Sequence, residues 1–221
     1  MWIDNQVIES AKASSFCRVW VPSAFHLVLG RSNKAASECH LERLKKANIP
    51  ILTRRGGGGT VLLHPGCVII SQGLWVQSYY RNDFFFKELL SSLITVLKKK
   101  WPSLSQLKQG GISDLVLGDK KLAGTSLFRS RNFLLYQASI LVEDFSKDIS
   151  FYLKHPSLEP DYRGRRKHKD FLSHLSFYEP SITCQNLSLL LKKDYEQEVL
   201  RRLSSELCGE HNEKQLFDLK K

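Results

Sequence analysis

Ile51-Leu52-Thr53-Arg54-Arg55-Gly56-Gly57-Gly58-Gly59-Thr60-Val61-Leu62-Leu63-His64 decides how this chain is read. Glycine loses more backbone entropy on folding than any other residue, so four in a row inside a globular chain need a reason. The run lies between two apolar segments of β-like composition, 49–52 and 61–63. It predicts a tight strand–loop–strand in which main chain approaches something closely. Bare N–H groups in such a loop can point at an anion, and Arg54 and Arg55 add fixed charge and forked donors. A phosphate or carboxylate is the natural guest. Two nucleotide loops are excluded. Thr60 follows the glycines without a lysine, so G-x-x-x-x-G-K-[ST] is absent, and Val61 stands where G-x-G-x-x-G wants its third glycine.

The 221 residues suit one domain, 1–221, long enough to bury a sizeable core. No apolar run approaches the ~20 residues that span a bilayer, and 1–13 lacks a signal-peptide core, so no membrane partner is expected. Cys17, Cys39, Cys67, Cys184 and Cys208 are odd in number, scattered, and not at zinc spacing. No metal site is therefore expected, and reduced thiols point to the cytoplasm. A net charge of +11 favours acidic macromolecular partners. Its densest stretch is Tyr162-Arg163-Gly164-Arg165-Arg166-Lys167-His168-Lys169, which as a bare charge run reads as a solvated loop.

Strands are predicted over 18–30, broken near Pro22, and over 68–77, 112–117, 121–128 and 133–142, with Gly118-Asp119 as a hairpin turn. Helices are predicted over 36–47 with Ser37 as N-cap, over 84–99 with Phe85, Leu89, Leu93 and Leu97 recurring every four residues, over 144–154, and over 187–207. The helix before the first strand is short, with Glu9 read as its only acid. Together these give an α+β domain.

Four blocks in order resemble the lipoate–protein ligase family, within the biotin/lipoate ligase superfamily. They are His26-Leu27-Val28-Leu29-Gly30-Arg31-Ser32-Asn33; the Arg54-to-His64 stretch, against Arg-Arg-x-x-Gly-Gly-x-x-Val-x-His; Ser113-Asp114-Leu115 with Lys120-Lys121-Leu122-Ala123-Gly124-Thr125-Ser126; and Asp144-Phe145-Ser146. The resemblance covers roughly 18–175, with 176–221 as a C-terminal helical extension. It implies a mixed or antiparallel sheet flanked by helices. It also implies an acyl-adenylate reaction, in which lipoate or octanoate and ATP with Mg²⁺ give acyl-AMP, attacked next by a carrier lysine. The implied carriers are acidic lipoyl domains, of a 2-oxoacid dehydrogenase E2 or a glycine cleavage H protein.

Lys121 matches the family's catalytic lysine, because Leu122-Ala123-Gly124 follows it; Lys120 would point the other way, towards solvent. A lysine there offsets negative charge as pyrophosphate leaves and as the amine attacks. The resemblance assigns Arg55 to a phosphate. It assigns Gly58, Gly59, Thr60, Val61, Leu62 and Leu63 to the adenylate and acyl entrance, and Gly124 and Thr125 to the nucleotide block. His64 is either a wall of the acyl pocket or structural. Asp114 either holds Lys121 or helps place Mg²⁺.

The family's His-Gly pair in the following strand is here Gln137-Ala138, after Tyr136, and its accessory domain of about a hundred residues has no counterpart, so a second polypeptide completing the ligase is entertained. A lipoyl or octanoyl transferase of the same fold is the alternative. Its thioester route needs an activated thiol, and Cys67 is the only one near. A nucleic-acid binder would want aromatics interleaved with the basic run, which Tyr162 and Phe171 only bracket. The Gly-Arg-Gly-Arg loop of biotin ligases is missing.

Overall fold

The structure, a computed structural model, describes residues 3–11, 14–78 and 81–207. The chain opens with helix α1 (Ile3–Ser10), strands β1 (Phe16–Trp20) and β2 (His26–Leu29), and short helices α2 (Ala35–Glu38) and α3 (Leu41–Lys46). Strands β3 (Ile51–Thr53), β4 (Val61–Leu63) and β5 (Cys67–Trp75) follow, then helix α4 (Asn82–Lys100). The next four strands are β6 (Lys108–Gly110), β7 (Asp114–Leu117), β8 (Lys120–Ser130) and β9 (Phe133–Leu141). Helices α5 (Ser146–Tyr152), α6 (His168–Phe171), α7 (Leu175–Tyr178) and α8 (Cys184–Leu203) complete the order. Cys208 lies outside the described residues.

A six-stranded sheet, β1-β5-β9-β8-β7-β6, is antiparallel throughout. A three-stranded sheet, β3-β2-β4, is mixed. Alternation along β9 divides its residues between two faces. Leu134, Tyr136, Ala138 and Ile140 pack on one face with Phe85, Leu89, Leu93 and Leu97 of α4, the four-residue stripe seen in the sequence. Leu187, Leu191, Tyr195, Val199 and Leu203 of α8 enter the same cluster, so the C-terminal helix belongs to the main core. Thr183 and Asn186 start α8 with a reciprocal capping box.

The opposite face is capped at both ends. Phe133, Leu135 and Trp75 pack on Val7 and Ile8 of α1 and on Ala11 just after it. At the other end Val28 and Leu63 of the small sheet pack on Cys67 and Ile69. Between these apolar patches the register aligns Ser71 with Gln137 and Ser126, and Ser139 with Gly124. This polar strip floors the candidate site.

The predicted helix over 36–47 is two helices. The chain between them detours to the end of α5, where Cys39 bridges Leu153 and His40 N donates to Tyr152 O. Ser37 lies inside α2 and caps nothing. Nor do β3 and β4 form a hairpin; both flank β2. β6, α6 and α7 are short elements that the periodicity did not announce. Glu9 is not the only acid of α1, because Asp4 precedes it and is almost fully buried.

Candidate active site

Because β3 and β4 flank β2, the glycine loop must cross over the end of β2, at Gly30. Gly58 O lies 2.1 Å from where a Cβ on Gly30 would sit, so only glycine fits beneath the crossing. Arg31 N donates to Gly56 O (3.0 Å) and Arg54 N to Leu29 O (3.0 Å). The Arg54 side chain turns inward and is buried; its Nη2 donates to Gly57 O (2.7 Å) and Gly59 O (2.8 Å). A trans peptide points its C=O and the next N–H in opposite directions, so Arg54 turns the N–H groups of Gly58 and Thr60 away from itself. The N–H groups of Gly57, Gly58 and Gly59 make no hydrogen bond among the described residues. A Cβ on Gly57 or Gly59 would meet nothing within 4 Å. Open space and uncommitted donors lie together.

Arg55 is half-buried. Its N donates to Asp4 Oδ2 (2.9 Å), and its guanidinium reaches Asn5 Oδ1 (3.4 Å) and lies 5.6 Å from the Phe128 ring centre. Asp4 Oδ1 accepts from Gln137 Nε2 (2.8 Å). Reading the sequence by blocks missed Asp4, yet a signal was there: Asp4, Val7, Ile8 and Ala11 share one helical face, an acid on an apolar stripe.

Lys121 Nζ pairs with Asp114 Oδ1 at 2.8 Å, and Tyr162 OH donates to Asp114 Oδ2 at 2.7 Å. Both oxygens of Asp114 are engaged, which favours the reading in which Asp114 holds Lys121. Burial, followed by the Asp114 charge, raises the Tyr162 pKa well above its ordinary value, so the phenol stays a donor. A β-bulge sets the lysine's aim. Val116 pairs with Lys121 but Leu115 pairs with Ala123, so Leu122 is the extra residue. Lys121 Nζ and Cε consequently lie 3.1 and 3.2 Å from where a Gly124 Cβ would sit. Lys121 lies over the polar strip because Gly124 has no side chain. Lys120 goes the other way, donating from Nζ to Asp170 O (2.6 Å).

Alternation turns two expected contacts away from this face. Thr125 pairs with Ala138, which faces the helices, and its N and Oγ1 both donate to Ser113 O. Leu62 packs with Leu27, Leu44 and Ile149 on the far side of the small sheet, whereas Leu63 faces the large one, with Val61 packed against the same cluster. The side chains of Thr125 and Leu62 therefore point away from this face, unlike the ligand contacts expected of them.

His64 is fully buried, stacked 4.1 Å from Phe145, with neither ring nitrogen bonded. Burial lowers its pKa to about 4, so it is neutral at physiological pH. Thr60 Oγ1 and Ser71 Oγ are also buried without partners. Gln72 Oε1, Tyr136 OH and Arg129 Nη2, away from the glycine loop, are unpaired as well, so these atoms do not by themselves mark a site. Cys67 donates from Sγ to His64 O (3.0 Å), and burial pushes its thiol up to about 12, the reverse of an activated nucleophile. Beside Lys120 a groove of about 240 Å³ opens between Leu141, Phe145, Ile149, Lys169, Phe177 and Tyr178. Leu172 lines that groove and bridges the Lys121 backbone, so groove and lysine share one strand end.

The basic run closes over the site instead of fanning into solvent. Arg163 is buried, donates to Arg166 O, pairs with Glu159 at 3.2 Å and lies 4.7 Å over Phe171. Arg166 binds Asp119 and the carbonyls of Tyr162 and Arg163. Arg165, Lys167 and Lys169 are exposed. Among the described residues no group of three or more His, Cys, Asp or Glu is gathered to hold a metal, and no helix is long and apolar enough to cross a membrane.

Known proteins resemble this chain in sequence and in fold. The chain is 24% identical over 199 residues to human mitochondrial lipoyl amidotransferase LIPT1, covering 88% of this chain and 50% of that protein. It shares its fold with a bipartite lipoate protein ligase from Thermoplasma acidophilum, at 17% identity and a TM-score of 0.70, over 91% of this chain and 75% of that one. A lipoate–protein ligase A bound with ATP superposes with a TM-score of 0.67 at 18% identity, over 91% and 77%. The chain spans about half the length of the curated relatives it matches. The family model for the lipoyl protein ligase A/B catalytic domain matches residues 3–195, nearly the whole described fold, and the chain belongs to that family.

Proposed function

We propose that this chain transfers a lipoyl or octanoyl group to a lysine of a carrier domain through an acyl-adenylate. The observation that carries the reading is Lys121, held by Asp114 over bare Gly124, on the same strand as Ser126, against which the start of the glycine loop packs at Gly56. In the first step the acid's carboxylate attacks the α-phosphorus of ATP and the bond to pyrophosphate breaks. In the second the carrier amine attacks the acyl carbon, the bond to AMP breaks, and the amine loses a proton. Both steps put negative charge on oxygens beside the carbonyl, where a fixed ammonium and preorganised amides act in the transition state. Arg55, Gly58, Gly59 and Thr60 receive the phosphate and carboxylate. Val61, Leu63 and His64 border the acyl chain. The groove beside Lys120, with Phe145, Phe177 and Tyr178 around it, suits a purine base.

The donor set does not suit a protein-held Mg²⁺. Asp114, the carboxylate beside Lys121, has one oxygen on Lys121 and one on Tyr162. No step is routed through a metal here. The carriers that fit a +11 chain are acidic lipoyl domains, of E2 or glycine cleavage H protein type. The chain acts as one catalytic domain in a reducing compartment, cytoplasmic or mitochondrial, consistent with free Cys17, Cys39, Cys67 and Cys184.

The human relative, an amidotransferase, favours a second reading: transfer from a supplied acyl-AMP, with adenylation done elsewhere or by a second polypeptide. Intact-mass analysis of an apo lipoyl domain tests both. Lipoylation with lipoate and ATP supports the ligase, lipoylation only with lipoyl-AMP supports the transferase, and neither outcome with either acid refutes the function. A hydroxylamine-sensitive adduct on Cys67 would move the chemistry to a thioester.

A further inference from the structure

Arg54 precedes the arginine that meets the ligand, and in the site above it has no ligand to hold. We propose that Arg54, supported by Asp4, is the positioning residue that fixes the glycine loop in its anion-receiving form. What the loop receives rests on the acyl-adenylate reading; the clamp does not.

The geometry supports this from three sides. From within, a single Nη2 holds Gly57 O and Gly59 O, so two peptide planes two residues apart are turned alike and their N–H groups face outward together. Gly58, between them, has φ +94°, and a Cβ there would approach Arg54 Nη2 to 3.1 Å, so the clamp demands glycine at 58. From below, Gly58 O rests on Gly30, and Arg31 N holds Gly56 O. From the side, Asp4 accepts from Arg55 N and from Gln137 Nε2, tying the loop's first residues to α1 and to the floor of the cleft. Asp4 also offsets the burial of Arg54: desolvation brings the guanidinium down to about 10 while the nearby carboxylate opposes the drop, so Arg54 stays charged. Lysine is a poor replacement, because its shorter, unbranched end lacks the rigid guanidinium plane that aims Nη2 at both carbonyls.

The test uses the full chain with Arg54→Gln, Arg54→Lys and Asp4→Asn. Without ligand, trypsin cleavage of the Arg55–Gly56 bond reports the loop, and cleavage after Lys192 within α8 reports global opening. The clamp predicts that Arg54→Gln raises the ratio of the first to the second about tenfold or more, with Asp4→Asn changing it in the same direction. With a non-hydrolysable acyl-sulfamoyl adenosine as probe, Arg54→Lys should weaken binding about tenfold and lower kcat as well as raise donor KM, while cleavage after Lys192 stays at the wild-type rate. An unchanged cleavage ratio in folded Arg54→Gln, or in Asp4→Asn if the arginine variant does not fold, overturns the clamp. An altered ratio in a chain whose wild type binds no probe leaves the clamp standing and removes the acyl-adenylate reading.

Discussion

The loops at 54–60 and 162–169 both carry arginines that fold inward onto their own backbones, and they differ in what is left over. In the glycine loop Arg54 binds carbonyls, and the N–H groups of Gly57, Gly58 and Gly59 remain uncommitted beside open space. In the basic loop Arg163 and Arg166 bind carbonyls and also Glu159, Asp119 and the Phe171 ring, with Tyr162 anchored on Asp114. One loop is braced so that donors face out. The other is braced so that it stays shut. Counting charges along the chain cannot separate these cases, because both begin as arginines next to glycine. The difference lies in whether the brace leaves hydrogen-bonding capacity for a guest.

Four outcomes break or sharpen the contrast. The largest concerns the lysine held over Gly124. Lys121→Ala should lower kcat by about 10²–10³, the ~2.7–4 kcal/mol of a lost transition-state contact, whereas Lys120→Ala should keep kcat within about threefold. Equal modest losses from both would sink the assignment. Next, the basic loop's brace is structural, so Arg163→Ala should cost about 2–3 kcal/mol in denaturant unfolding, while exposed Arg165→Ala stays within about 0.5 kcal/mol. Equal effects would mean that the loop is a solvated face after all.

The third outcome is a pH dependence at His64. Below pH ~6.5 the unfolded chain protonates this histidine, whereas the folded chain resists down to about 4 because the ring is buried. The unfolded state binds more protons across that window, so stability falls as pH drops from ~6.5 to ~4, by on the order of 3 kcal/mol in full. His64→Leu should flatten that limb of the stability–pH curve; an unaltered limb would contradict the buried neutral ring. The smallest effect is at the carrier. Reversing Arg165 and Lys167 to Glu should raise carrier KM about three- to tenfold at low salt, leave lipoate KM unchanged, and lose the difference at high salt. A shift in lipoate KM instead would place these residues over the small-molecule site.

Much of this was legible in the sequence, for local reasons. The four-residue stripe gave α4, and Gly118-Asp119 between β-like runs gave the β7–β8 hairpin, with Gly118 at φ +61°. Lys121 was separable from Lys120 by the residues that follow it. What stayed hidden depends on contacts between distant segments. The bulge at Leu122, which aims Lys121 over Gly124, is a pairing between strands and leaves no mark on hydrophobic period. The break in the 36–47 helix is imposed by Leu153, more than a hundred residues away. Thr125 and Leu62 match the family's blocks, but the bulge at Leu122 turns Thr125 to the face opposite Lys121, which plain alternation from Lys121 does not announce, whereas Leu62 is turned away by simple alternation with Leu63. The sequence marks Asp4 only as an acid on an apolar stripe; its partner, Arg55 N, follows from α1 lying against the glycine loop.

The most direct test of the central claim is single-turnover transfer from lipoyl-AMP to an apo lipoyl domain, followed by intact mass, for the wild type, Lys121→Ala and Cys67→Ser. The account predicts that wild type and Cys67→Ser lipoylate the carrier at similar rates with no acyl adduct on the enzyme, and that Lys121→Ala is slower by about 10²-fold or more. Transfer by Lys121→Ala at the wild-type rate, or an acyl group captured on Cys67, would contradict it.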